Sequence, residues 1–194
     1  MSSSVLLAHK YLAEDPGYPF EYKITVKYTL KTQGRLSLET TVINLSSGAI
    51  PIADGWHPYF SLGGKVNDWF LTVDAKEILA FDESLIPNGK KIPFDHFSAG
   101  ARIDRTAFDH CFLPEFHVGS PACKLFNPVN GAALSFFPDK TYPYLQIYSP
   151  DDRNSLAIEN LSAAPDSFNN GLGLIILEPG HSQSFTVVYQ LGLE

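Results

Sequence analysis

Three side chains of this sequence combine a titratable group with apolar neighbours: His57, Glu159 and Asp109. His57 stands in the run Gly55-Trp56-His57-Pro58-Tyr59-Phe60. A following proline pushes a residue out of the helical region and into extended backbone, which narrows where its ring can point. Imidazole titrates near neutral pH, so it can give or take a proton there. Glu159 ends the run Ser155-Leu156-Ala157-Ile158; burial at such a position raises a carboxyl's pKa and makes it a better proton acceptor. Asp109 lies in Phe108-Asp109-His110-Cys111-Phe112, and an ionised Asp can accept two hydroxyl donors at once. Plainer readings stand beside these: a core histidine bonded to a carbonyl, a solvated strand-end glutamate, and an aspartate capping a turn.

Other chemistries lack their residues. The six histidines form no H-x-H or H-E-x-x-H pair, and the Asp151-Asp152 pair lacks the glycine-containing acidic loop of a calcium site, so no metal is expected. There is no G-x-G-x-x-G, no phosphate loop and no G-x-S-x-G. A cofactor-free reaction, or none, is what remains. Cys111 and Cys123 have no metal-type spacing and read as ordinary core residues.

The net charge of -7 with only four arginines disfavours a nucleic-acid partner or an anionic membrane surface. No apolar stretch approaches the ~20 residues that span a bilayer. The first residues lack the basic start and long apolar run of a secretory signal, so the cytoplasm is the expected location. Fourteen Phe and nine Tyr suit pleated sheets and can stack on sugar rings.

Strands must position these residues. Tyr22, Ile24, Val26, Tyr28 and Leu30 alternate with polar residues, Gln33-Gly34 turns the chain, and Leu36, Leu38, Thr40 and Val42 continue the pattern. Residues 22–44 therefore read as a β-hairpin. Phe185, Val187, Tyr189 and Leu191 repeat the alternation, and Asn130-Gly131 marks a second hairpin. Shorter apolar runs lie at 69–73, 78–81, 122–126, 132–137, 144–148, 155–159 and 172–177. Many short strands without a convincing amphipathic helix predict an all-β sandwich or barrel in a single domain over 1–194. The first ~16 residues, up to Asp15-Pro16-Gly17, are expected to be poorly tied down.

An ordered set of segments resembles the aldose 1-epimerase (galactose mutarotase) family. It comprises Gly17-Tyr18-Pro19, Asn44 with Pro51, His57-Pro58-Tyr59-Phe60-Ser61-Leu62, Ile86-Pro87-Asn88-Gly89, Pro93-Phe94-Asp95, Phe108-Asp109-His110-Cys111-Phe112, Glu159 through Asn169, and Glu178-Pro179-Gly180. The resemblance implies a galactose-mutarotase-like β-sandwich (a supersandwich) that exchanges the α and β anomers of a hexose without a cofactor. It implies Glu159 as the base, His57 as the acid and Asp109 as a ligand of sugar hydroxyls. Trp56 and Tyr59 are the flanking rings expected to contact the substrate. Two alternatives remain open: a non-catalytic carbohydrate-binding module, and a hexose-6-phosphate 1-epimerase relative. Members of the family usually carry a long segment before Gly-Tyr-Pro. The sandwich is therefore expected to be N-terminally truncated, with a homo-oligomer covering the exposed edge.

Overall fold

The computed structural model describes residues 2–194. Seventeen strands follow in order: β1 (Ser2–Leu12), β2 (Glu21–Lys31), β3 (Arg35–Asn44), β4 (Ile50–Ile52), β5 (Gly55–Trp56), β6 (Tyr59–Phe60), β7 (Phe70–Val73), β8 (Ala75–Phe81) and β9 (Pro87–Pro93). They continue as β10 (Ala101–Arg102), β11 (Asp109–Pro114), β12 (Cys123–Phe126), β13 (Ala132–Pro138), β14 (Tyr144–Tyr148), β15 (Leu156–Leu161), β16 (Ile175–Leu177) and β17 (Ser182–Leu193). One 3₁₀ turn, Val66–Asp68, and one helical turn, α1 (Ser167–Asn170), are the helical elements among the described residues. Neither is long and apolar enough to cross a membrane.

The alternating segments become the large sheet, in the order β1-β2-β3-β17-β13-β12-β7-β10. Leu30, Leu36, Tyr189, Phe136, Cys123 and Val73 are successive cross-strand partners in it. Directly paired residues point to one face, so this row is apolar from strand to strand. The β2–β3 hairpin turns through Gln33 and Gly34, both left-handed (φ 64° and 67°). A Cβ on Gly34 would also collide with the Leu191 carbonyl oxygen, so only glycine fits there.

The second sheet runs β5-β15-β14-β11-β8-β9, with β6 also paired to β15. Its inner face supplies Ile78, Phe112, Leu145, Ile147, Leu156 and Ile158 to one core shared with the large sheet. Each such side chain, fully buried, contributes roughly 1.5–3 kcal/mol. Asn44 sits at a corner with no exposure, donating from Nδ2 to the carbonyls of Gly48 and Leu177 at 2.9 and 2.8 Å. That contact ties the hairpin to the small β4–β16 sheet.

One expectation fails. The N-terminal residues are not loose, because β1 pairs with β2 along its whole length, from Ser2 opposite Lys31 to Leu12 opposite Glu21. Nearly all of β1 is exposed, so its main-chain ladder holds it rather than burial.

Candidate active site

Glu159 lies within β15, its partner across β14 is Gln146, and Gln146 in turn pairs with Cys111 on β11. The next row on the same face runs Tyr59, Ala157, Tyr148, Asp109. Alternation thus turns Glu159, Gln146, Asp109, Tyr148 and Tyr59 to the outer face of the second sheet, away from the shared core. They line a cavity of about 390 Å³, together with His57. Phe81, Leu85 and Pro165 supply its apolar walls.

His57 reaches that face from the link between β5 and β6. Pro58 follows it, and the Pro58 carbonyl accepts the Ile158 N–H at 3.3 Å, so the link lies along β15. The imidazole stacks on the Tyr59 ring, with centroids 5.1 Å apart and planes at 25°. Its Nε2 stands 3.1 Å from Glu159 Oε1. The two partners differ in surroundings: the Glu159 side chain is 9% exposed and that of His57 is 55%.

Burial raises the Glu159 carboxyl above its ordinary value; neighbouring His57 pulls it down and the Asp109 charge pushes it up. The result is a carboxylate that takes a proton more readily than one in water. Asp109 is held by Gln146, whose Nε2 donates to Asp109 Oδ1 at 2.7 Å. Gln146 Oε1 is buried with no partner among the described residues. His110, beside Asp109, turns the other way: its ring lies 5.3 Å from that of Phe94, and burial lowers its pKa.

The outer face next to the cavity is sealed by residues 162–174. Ala164 and Leu172 pack there on Leu79, Cys111 and Tyr144. Gly173 is left-handed, and a Cβ on it would meet the Tyr144 ring at 2.8 Å, which lets the segment lie flat on the sheet.

Four of the five expected residues, His57, Glu159, Asp109 and Tyr59, meet at this cavity. Trp56 does not. It pairs with Asn160 rather than Glu159, so its indole points between the sheets, edge-on to Tyr28 at 5.9 Å. The register of β5 on β15 turns Trp56 to the core side, while His57 reaches the outer face through the link that follows β5. The expected sugar contact is corrected to a core contact. Gln146 and Tyr148 were not foreseen; the signal was a lone polar residue at the centre of the apolar run 144–148.

One cluster of potential donor side chains lies away from the cavity. Donor atoms of Asp74, Glu115 and His117 all lie within 4.8 Å of one another. The Lys76 ammonium already sits 3.1 Å from Glu115, placing a competing cation at the group. At the cavity itself no such group occurs among the described residues.

The family model of aldose 1-epimerase matches residues 2–190. Among curated proteins, the uncharacterized protein YihR of Escherichia coli K12 is 28% identical over 176 residues, covering 88% of this chain and 56% of the relative. The aldose 1-epimerase of Streptococcus thermophilus is 25% identical over 214 residues, covering 90% and 58%. The chain thus spans a little over half the length of these relatives. A galactose mutarotase-like protein from Clostridium acetobutylicum superposes with a TM-score of 0.86 at 18% identity, covering 100% of this chain and 63% of its own. The galactose 1-epimerase of Lactobacillus acidophilus NCFM gives 0.82 at 21%, covering 99% and 63%. The two structural likenesses carry the fold, a galactose-mutarotase-like sandwich; the match along residues 2–190 carries more, and by it this chain belongs to the aldose 1-epimerase family.

Proposed function

We propose that this protein interconverts the α and β anomers of an unphosphorylated hexose. The observation that carries the reading is the contact of His57 Nε2 with Glu159 Oε1 at 3.1 Å on the wall of one cavity. The anomeric hydroxyl and the ring oxygen of a pyranose are bonded to the same carbon. An acid and a base that touch each other are therefore spaced to reach both.

In the proposed cycle Glu159 takes the proton of the anomeric hydroxyl. Protonated His57 gives its proton to the ring oxygen as the bond from that oxygen to C1 breaks. An open-chain aldehyde results, turns about the C1–C2 bond, and closes on its other face as both protons return. The steps move protons only and call for no cofactor. Asp109, steadied by Gln146, accepts sugar hydroxyls, and Tyr59 and Tyr148 offer ring faces.

One observation favours a second reading, sugar binding without turnover. His57 is more than half exposed, so water reaches the acid freely. A phosphorylated hexose fits less well. No lysine or arginine is among the lining residues, while Asp109 and Glu159 are. Arg102 is spent on Asp68 and Arg153 on Asn67 and two carbonyls. We place the protein in the cytoplasm and propose that it self-associates through β1, where Val5, Leu6 and Leu7 are 52%, 63% and 56% exposed on an unpaired edge.

Exchange spectroscopy on the anomeric protons of galactose and glucose tests the reading. Added protein should raise the α-to-β exchange rate. Line broadening without faster exchange would mean binding alone.

A further inference from the structure

We propose that Tyr142 and Asp54 are positioning residues that set the separation of His57 and Glu159, acting through Trp56; the proposal rests on the reading of those two as acid and base. His57 makes no side-chain hydrogen bond among the described residues apart from its contact with Glu159. Its place must therefore come from the backbone that delivers it and from the Tyr59 ring beneath it.

That backbone is held from the core side. The Trp56 Nε1–H donates to the Tyr142 hydroxyl at 3.1 Å, and the Tyr142 hydroxyl donates to Asp54 Oδ2 at 2.5 Å. Tyr142 has no exposure, whereas its partners Asp54 and Trp56 are half-buried, so the core shields these bonds from one side. Asp54 is fixed in turn by Ser162. The Asp54 N–H donates to Ser162 Oγ at 2.7 Å, and the Ser162 N–H donates to the Asp54 carbonyl at 2.8 Å. Trp56 pairs across to Asn160.

Two links, Asp54 with Ser162 and Trp56 with Asn160, join the segment just before His57 to the segment just after Glu159, and the Tyr142 hydroxyl bridges Asp54 and Trp56 within the first segment. Asn160 follows Glu159 directly and Ser162 ends the same stretch. Tyr142 is the member that belongs to neither segment. It is seated by its own N–H on the Asp139 carbonyl at 3.1 Å and by the Phe185 ring at 5.7 Å. The clamp touches no substrate in this arrangement, because Trp56 and Tyr142 lie on the core side of the strands that carry the site. Small displacements at a reacting pair cost rate out of proportion to their size.

Tyr142→Phe removes only the hydroxyl; Trp56→Phe removes the donor together with part of the ring that packs on Tyr28. Each variant is first checked for cooperative melting. With fresh α-galactose as the probe, each should lower kcat by about tenfold with KM little changed, and the double variant should lose no more than either one, since both break one chain of bonds. Tyr18→Phe is the control. It removes a hydroxyl bonded to the Pro51 carbonyl at 2.7 Å, outside the clamp, and should leave kcat as it was. A second readout needs no turnover: the carbon-bound ring protons of His57 should shift in both clamp variants and stay fixed in the control. Folded Tyr142→Phe with wild-type kcat and an unmoved His57 signal would overturn the clamp. So would fully additive losses in the double variant. A wild-type protein without turnover would sink the anomerase reading while leaving the His57 shifts to decide the clamp.

Discussion

His57 Nε2 lies 3.1 Å from Glu159 Oε1, yet the first side chain is largely in water and the second is largely out of it. Burial without full compensation makes Glu159 costly to ionise in the folded state. Its native pKa is raised, so the native state holds this proton more tightly than the unfolded chain does. The stability it confers is complete below the unfolded carboxylate value, about 4.3, and is lost as pH rises through the raised native value. Glu159→Gln removes that loss. Urea melts should show the variant gaining on wild type between pH 4 and pH 7, while its anomerisation rate falls by roughly 10²–10⁴-fold, the usual worth of a positioned acid or base.

Asp109 and Gln146 should act on binding more than on rate. Gln146→Leu takes away the donor to Asp109 Oδ1 and also a buried oxygen that has no partner. Removing a half-satisfied polar group is close to neutral for stability. Asp109 must then be ordered anew by each sugar it binds, so the expected outcome in steady-state kinetics is a raised KM for galactose with kcat little changed and little change in melting temperature.

Both thiols should resist modification. Cys111 lies beside the site on the same face of the sheet, paired with Gln146, and burial aided by the Glu159 charge pushes its thiol up to about 12. Burial raises Cys123 as well. Since the thiolate is the reactive form, an aromatic disulfide reagent at pH 8 should find neither cysteine in the folded protein and both in denaturant. Rapid reaction of Cys111 in the folded state would show that the 162–174 cover opens.

Self-association should run through β1. Light scattering across a concentration series should show dimer or higher species, and Leu6→Lys should shift them to monomer, because a charge on an edge strand opposes pairing. A stable wild-type monomer at high concentration would remove the β1 interface.

Periodicity made some of this architecture legible in the sequence. Alternation at residues 22–44 and 185–191, with Gly34 between, places β2, β3 and β17 correctly. It could not find β1, whose Val5-Leu6-Leu7-Ala8 run has no alternation because both of its faces are exposed. Nor could it find β9, an edge strand made of Pro, Lys, Asn, Gly and Ile with little burial. Residue type singled out His57, Glu159, Asp109 and Tyr59, four side chains that line one cavity. Gln146 needed the strand register, since nothing local says that it stands opposite Glu159. Trp56 was misassigned by weighting its closeness in sequence to His57 over the register of β5 on β15.

The central claim is that His57 and Glu159 together open a sugar ring, and polarimetry of freshly dissolved α-galactose tests it most directly. Wild-type protein should speed the decay of optical rotation to its equilibrium value in proportion to its concentration, and folded His57→Ala and Glu159→Gln should leave it near the uncatalysed rate. Acceleration that survives both substitutions, or none from wild type, would contradict the account.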